Sequence, residues 1–363
     1  MAVDLSTRIG TVTLKNPLIA APAEHLIEAA GIRAALGAGA AAVVVKSVNE
    51  VPAARTQLDR AEYLVFDEHW QPVPWTPGAP AAATIACRSG LTPQPFDAWL
   101  TQCATLDREA AALDSYVVAS VVLGDLARAV AMAQAIEAAG VRVFELNIGT
   151  PYGGQSGGAV ATELRPERVG EIVTAVRQAV ALPLWVKVTG QSERVPDLAA
   201  AAFAAGADSV VMAGRLLGLV PDVDTLAPFL GTSLGIGGYW HLPLTCHWLA
   251  TTRAQVGADR VLIGVNGATN GLDIARMMLA GASAVGLASP VMLRGFELIG
   301  DALDELRRYL ETKGLTAAGL VGRAADQRRT FADMPARAGR WRDYVPGDAL
   351  DQGVPGTGGG NRP

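Results

Sequence analysis

The sequence is poor in the residues that usually announce a metal or a disulfide. Its 363 residues hold three cysteines, Cys87, Cys103 and Cys246, and no CxxC pair. That spacing excludes a cysteine-ligated iron–sulfur cluster within the chain and speaks against a disulfide framework. Histidines number four, and His241 and His247 lie too far apart in sequence to share a helical face as an i, i+4 metal pair would. They read as packing or surface residues, and no metal site is expected. Long apolar runs are missing too. Stretches such as Ala38–Val45 fall well short of the about 20 residues that a membrane span requires. No basic segment followed by an apolar run opens the chain, so no signal peptide is expected. With 18% charged residues and a net charge of −5, the basic surface that a nucleic acid demands is absent. What is there is a chain that is 50% hydrophobic and able to bury a large core. A cytoplasmic protein acting on a small molecule is expected, with neither membrane nor nucleic acid as partner.

Short β-branched runs alternate with alanine-rich stretches of helical spacing, the pattern of a parallel sheet with crossover helices. The runs that qualify as barrel strands are Pro17–Ala21, Ala41–Lys46, Tyr116–Val121, Arg142–Asn147, Pro183–Val188, Asp208–Ala213, Arg260–Gly264 and Ser283–Leu287. Between them lie helix candidates at Leu126–Ala139, Pro166–Ala181, Val195–Ala205 and Leu272–Ala280. Gly140 and Gly281 stand where left-handed caps would end the first and last of these. An α/β fold follows, a single (β/α)8 TIM barrel over residues 1–345, since such barrels routinely fill this length as one unit. Two segments break the alternation. Residues 50–100 carry Pro and Trp punctuation and a ninth apolar run at Ala82–Cys87, and read as an insertion covering the barrel mouth. Residues 214–240 read as a second mouth loop, and 346–363 as a disordered tail.

Functional residues in such a barrel sit at the C-terminal ends of the strands. There Val44-Val45-Lys46-Ser47 and Trp185-Val186-Lys187 each place an ammonium after an apolar run. A lone lysine so placed is usually snorkelling. Two aimed at one mouth point to an anionic ligand. Strand seven runs into Gly264-Val265-Asn266-Gly267-Ala268 and a helix, strand eight into Leu287-Ala288-Ser289. Glycine lets the backbone approach a phosphate, a helix N-terminus aims N–H groups at it, and the loops after these two strands are where barrels commonly bind one. Two more glycine-rich loops, 149–154 and 234–238, suit a mobile lid that excludes water.

Taken in order, a set of short motifs carries a resemblance. They are Ile9-Gly10, Asn16-Pro17-Leu18, Val45-Lys46-Ser47, Ser89-Gly90-Leu91, Glu145-Leu146-Asn147, Val186-Lys187, Gly235-Ile236-Gly237-Gly238, Gly264-Val265-Asn266-Gly267 and Ala280-Gly281-Ala282-Ser283-Ala284-Val285. Together they resemble the dihydroorotate dehydrogenases and the FMN barrel of the dihydropyrimidine dehydrogenases, over roughly Leu5 to Gly322. Each motif is weak alone, and their order and spacing carry the likeness. The resemblance implies an FMN-dependent oxidoreductase acting on CH–CH bonds, and a homodimer. By it, Ala21, Pro22 and Ala23 line the flavin, Lys46 and Ser47 flank its ring, Asn147 meets flavin and substrate, and Lys187 holds the N1/O2 side. Gly237, Gly238, Asn266, Gly267, Ala288 and Ser289 would cradle the phosphate. A cation near N1 favours the anionic reduced flavin.

The substrate half departs from that family. The Cys or Ser that takes the proton, two residues before an Asn, corresponds to Thr150 with Tyr152. The Asn preceding the Gly-Leu pair corresponds to Cys87, and the Asn-Ser after strand six to Ala213-Gly214, followed by Arg215. Of the asparagines that would grip a pyrimidine, Asn147 is the one that clearly remains; Leu91 keeps its place in the Gly-Leu motif. Leaving one buried polar group unpaired costs about 1–3 kcal/mol, so losing three partners would weaken orotate-like binding by on the order of 10³ or more. Oxidation of a C–C bond beside a carbonyl, or its reverse, is therefore expected on a substrate other than orotate, with hydride passing through flavin N5. Thr150 would relay the proton, with Tyr152 as an alternative acid and Cys87 as a third candidate. Arg215 would pair with a substrate carboxylate or phosphate, and His241 and Tyr239 are within reach of the substrate by their place in the sequence. The competing expectations are a genuine dihydroorotate or dihydropyrimidine dehydrogenase, a barrel that serves as a non-catalytic scaffold, and a flavin-free isomerase. No dinucleotide-binding βαβ unit is recognisable, so NAD(P)H would need a separate reductase partner or direct binding at the flavin.

Overall fold

Parallel strands covered on both faces require continuous apolar runs rather than alternation, and these runs build the barrel. In the computed structural model, which describes residues 3–150 and 162–350, eight parallel strands close on themselves. They are β1 (Leu18–Ala20), β2 (Ala42–Val44), β3 (Tyr116–Val122), β4 (Val143–Asn147), β5 (Leu184–Lys187), β6 (Ser209–Met212), β7 (Val261–Val265) and β8 (Ala282–Leu287). Their order around the barrel is their order in the chain, and β8 closes onto β1 with Val285 opposite Leu18. Every strand expected from the sequence is present, with ends that differ by no more than two residues, as element ends usually do. So are the helices, at Leu126–Ala138, Pro166–Ala179, Val195–Ala204 and Gly271–Leu279. Gly140 and Gly281 end the first and last of these in the left-handed region, at φ 80° and 120°.

Alternation along each strand divides two layers. Ile19, Val44, Val118, Val143, Trp185 and Ile263 fill the barrel interior, while Val43, Val117, Phe144 and Val186 pack against the helices. The hairpin Thr7–Ile9 with Val12–Leu14 sends Ile9, Val12 and Leu14 into that same interior cluster. Truncating a fully buried Leu or Ile of this kind to Ala costs about 2–5 kcal/mol. Asp107, on helix Phe96–Ala111, fastens two strands to the helical shell. Its carboxylate accepts from the Val117 amide at 2.8 Å and from the Arg142 guanidinium at 2.7 and 2.9 Å.

The mouth differs from the expectation in one respect. Residues 216–238 are not an open loop. Leu216–Gly218 and Leu234–Gly238 are strands, and they join Thr84–Arg88, Glu62–Phe66 and Pro72–Val73 of the earlier insertion in one antiparallel sheet. Gly237 pairs with Ile85, and Gly238 with Thr84. Phe66, Ala86 and Leu234 are buried on one face of this sheet, Val65, Ala83 and Ile85 on the other. The glycine run 234–238 is thus a strand rather than a mobile lid, held by ladder hydrogen bonds along its length. Among the described residues, those up to Asp326 form one compact unit and those from Gln327 another. In the second, 3-10 turns at Phe331–Asp333, Arg340–Tyr344 and Gly347–Ala349 leave Phe331, Trp341 and Tyr344 exposed. The end of the expected tail, residues 351–363, lies outside the described residues. Among the described residues no helix is long and apolar enough to cross a membrane.

Candidate active site

The inward side of each strand stays inward at its C-terminal end. Two residues beyond Val44 stands Lys46, and two beyond Trp185 stands Lys187. Beyond Val143 come Glu145 and then Asn147. These ends open into a cavity of about 1530 Å³, its open mouth included. The roof sheet supplies Tyr63, Ile85 and Gly238 to its wall.

The floor of the cavity is apolar. Ala21, Val265 and Gly286 form it, and a Cβ on Gly286 would come within 2.8 Å of Val265 Cγ1 and 3.1 Å of Ala21 Cβ. Pro22 and Ala23 continue it after β1. Beside the floor lie Lys46 and Ser47 after β2, Asn147 at the end of β4 and Lys187 at the end of β5. On the far side come Asn266 and Gly267 after β7, and Ala288 and Ser289 after β8. Asn266 and Gly267 both turn through the left-handed region, at φ 72° and 109°. A Cβ on Gly267 would lie 2.4 Å from the Leu242 amide nitrogen, so this turn admits no side chain. The helix that follows it offers no N-terminal amides. Gly271 N and Leu272 N both donate to Glu305, and Asp273 N donates to its cap Asn270. Any phosphate here is held by the turn rather than by that helix. An apolar floor, two ammonium groups and two backbone turns fit an anionic nucleotide with an apolar ring system, such as FMN.

The wall next to Lys46 is charged. The Lys46 ammonium, 5% exposed, donates to Glu24 Oε1 at 2.9 Å and lies 3.2 Å from Ser89 Oγ. Ser89 itself donates to Glu24 Oε1 at 2.6 Å. Burial alone would raise the Glu24 carboxyl. The Lys46 ammonium, then the Arg215 guanidinium, then the Ser89 hydroxyl override it and hold the group down at about 2. Burial likewise pushes the Lys46 ammonium below its usual range, against the pull of Glu24. The Tyr63 hydroxyl faces Glu24 without completing a hydrogen bond, and burial followed by that carboxylate raises it. Neither Glu24 nor Tyr63 was legible as functional in the sequence. A single carboxylate after Ala-Pro-Ala and a tyrosine in an insertion carry no pattern.

The residues expected at the site do not all converge. Besides the floor and its flanks, Leu91, Thr150, Arg215 and Gly238 line the cavity. Cys87, Gly237 and His241 do not. Cys87 is wholly buried within the roof strand, its Sγ 3.6 Å from the Gly235 carbonyl and in contact with the Arg215 guanidinium. Gly237 is small for another reason: a Cβ there would meet Asn266 Oδ1 at 2.6 Å. His241 is buried at the start of helix Leu242–Val256, its Nδ1 2.9 Å from Thr245 Oγ1, which in turn donates to the Asn266 carbonyl at 2.8 Å. It steadies the turn from behind. Tyr239 lines the cavity. Tyr152 lies outside the described residues.

The model of the family described as dihydroorotate dehydrogenase matches residues 79–310. The catalytic subunit of dihydroorotate dehydrogenase B (NAD(+)) from Saccharolobus solfataricus is 30% identical over 183 residues, 50% of this chain and 60% of that protein. Its counterpart from Methanocella arvoryzae is 28% identical over 329 residues, 88% of this chain and 97% of the other. Dihydroorotate dehydrogenase A (fumarate) from Lacticaseibacillus paracasei is 32% identical over 178 residues, 48% of this chain and 60% of that one. The chain thus spans about three-fifths of the length of some of these relatives and nearly all of others.

Proposed function

This chain belongs to the dihydroorotate dehydrogenase family, and from that premise we propose that it is an FMN-dependent oxidoreductase. It oxidises a C–C bond next to a carbonyl, or reduces the conjugated bond, in a small anionic substrate other than dihydroorotate. The observation that carries this reading is the contrast between the two sides of one cavity. The cofactor side keeps Lys46, Ser47, Asn147, Lys187 and the Asn266-Gly267 turn, whereas the substrate side presents Glu24, Lys46 and Arg215. A pyrimidine ring calls for neutral amides that both donate and accept, and an acceptor-only carboxylate beside two cations is a different template.

When bound, FMN supplies the hydride-accepting centre at N5. Lys46, Ser47, Asn147 and Lys187 would hold its ring, and Asn266, Gly267, Gly238, Ala288 and Ser289 its phosphate. Arg215 orients a substrate carboxylate or phosphate by charge-assisted hydrogen bonds. Glu24 keeps the Lys46 ammonium in place while the roof sheet screens the cavity from water, which strengthens both interactions. Thr150 relays the substrate proton, with Tyr152 as an alternative; a hydroxyl of this kind needs a group beyond it to take the proton onward. The chain acts as a homodimer and passes electrons to a separate acceptor or reductase subunit, in keeping with the name "catalytic subunit" borne by relatives.

Those names favour a second reading, a genuine dihydroorotate dehydrogenase. One anaerobic experiment decides between them. The purified protein is expected to be yellow and to release FMN on denaturation. Dihydroorotate should leave its flavin oxidised, while carboxylate-bearing enones should reoxidise the photoreduced protein, and Thr150→Ala should slow that step. Rapid bleaching by dihydroorotate overturns the substrate reading, and a colourless protein that takes up no FMN overturns the enzyme reading.

A further inference from the structure

Inside the barrel, one layer below Asn147, lies a carboxylate that the reaction above leaves without a task. Glu145 is 1% exposed and sits opposite Trp185 in the β4–β5 register. Its Oε1 accepts from Ser120 Oγ on β3 at 2.8 Å. Ser120, itself fully buried, is 2.8 Å from Ser47 Oγ. Ser47 lines the cavity. Ser47 just after β2, Ser120 on β3 and Glu145 on β4 thus form one unbroken line of hydrogen bonds from the cavity wall to a carboxylate shut away from water. The charged groups at the strand ends above it are Lys187 on β5 and Lys46 on β2.

The direction of this line follows from Glu145. A carboxylate only accepts, so Ser120 donates to it; the Ser120 oxygen then accepts from Ser47, and Ser47 turns its lone pairs toward the cavity. A proton placed on Glu145 reverses every bond in the row, and Ser47 then donates into the cavity. Two hydroxyls between a cavity and a buried carboxylate are the arrangement that passes a proton without moving a heavy atom. We propose that Ser47, Ser120 and Glu145 are a proton relay serving this cavity, with Glu145 as its store. This rests on the oxidoreductase reading above, in which the substrate carbons lose a hydride and a proton. As the substrate C–H bond breaks, Thr150 takes its proton and yields its own, which is received at Ser47 Oγ across the cavity that both line; the Ser47 proton moves to Ser120, and the Ser120 proton to Glu145. Both serines end chemically unchanged and Glu145 ends as the neutral acid. In the reducing direction the same proton returns to the substrate carbon. The relay is the onward acceptor that a threonine such as Thr150 lacks.

The experiment uses the FMN-bound protein, photoreduced without oxygen and then mixed either with 3-oxocyclohex-1-ene-1-carboxylate, a carboxylate-bearing enone that must gain a proton on carbon, or with ferricyanide, which takes electrons alone. Ser120→Ala and Glu145→Gln are expected to slow reoxidation by the enone about 10²-fold, the lower end of what general acid–base catalysis contributes. Both should leave the ferricyanide rate at that of the wild type, and Ser120→Thr should restore the enone rate. Infrared difference spectra of the wild type during enone turnover should show a carboxylic acid band that Glu145→Gln lacks. Unchanged enone rates in both variants overturn the relay, and so does an equal fall with both oxidants, which marks a purely structural role. A wild-type protein that is yellow and reacts with ferricyanide but with no enone overturns the reaction itself, and the relay with it.

Discussion

Replacing Glu24 by Gln tests the charged wall most directly, because it removes one charge and almost no volume. In the folded protein the Glu24 carboxyl is held at about 2 against an ordinary 4.5. At about 1.4 kcal/mol per pH unit this corresponds to a net favourable coupling of about 3 kcal/mol, in which the Lys46 ammonium at 2.9 Å is the largest of the lowering contributions and outweighs burial together with Arg215 and Ser89. The Glu24 side chain is 21% exposed and that of Lys46 6%, so solvent screens the pair little. The loss of stability in Glu24→Gln alone will exceed that in Lys46→Met, since the first leaves a buried ammonium unpaired and the second frees a carboxylate with other partners. A cycle of Glu24→Gln, Lys46→Met and the double variant, each followed by urea unfolding, isolates the coupling. A value within the roughly 0.2–1 kcal/mol of exposed ion pairs would refute the claim that this wall is a desolvated charge cluster. The linkage also has a sign. Because the folded carboxyl lies below the unfolded one, its contribution is complete above about 4.5 and is lost as the pH falls toward about 2.

Three further outcomes follow from features away from that pair. Gly267→Ala forces a Cβ to within 2.4 Å of Leu242 N at φ 109°, and a fluorescence titration of apoprotein with FMN should show weaker binding and a stability loss of at least about 1–3 kcal/mol. Burial holds His25 and His241 down at about 4 from an ordinary 6.5. The unfolded chain then takes up protons first, so stability is whole above about 6.5 and falls by up to about 1.4 kcal/mol per pH unit for each histidine as acid is added; urea midpoints across that range should track this, and His241→Phe should reduce the slope. Asp107→Asn weakens the bidentate pair with Arg142 and the tie to the Val117 amide, and should cost about 3 kcal/mol in urea unfolding while leaving FMN content unchanged.

The barrel was legible because each of its strands is a short apolar run bounded by a helix of different period, and period is a local property. Lys46 and Lys187 were legible for the same reason, as charges ending such runs. The roof was not. Ala82–Cys87 reads as an apolar run and 234–238 as a glycine loop, yet the strands they form, Thr84–Arg88 and Leu234–Gly238, are partners in one sheet, and nothing local specifies a pairing between segments so far apart in the chain. Cys87 illustrates the cost. Its alignment with a pyrimidine contact suggested the substrate side, but its strand turns the thiol toward the Gly235 carbonyl. The relay was invisible for a related reason: Ser47, Ser120 and Glu145 are ordinary residues until the β2–β3–β4 register aligns them.

The roof strand Leu234–Gly238 has two faces to satisfy at once. Gly238 borders the cavity, and Gly237 leaves space for the Asn266 side chain. Ligand affinity and sheet integrity are therefore coupled quantities: whatever occupies the cavity tightens the roof, and whatever frays the roof loosens the occupant. A core lesion at Phe66 or Leu234, neither of which lines the cavity, will therefore show both as paler protein and as a lower melting temperature.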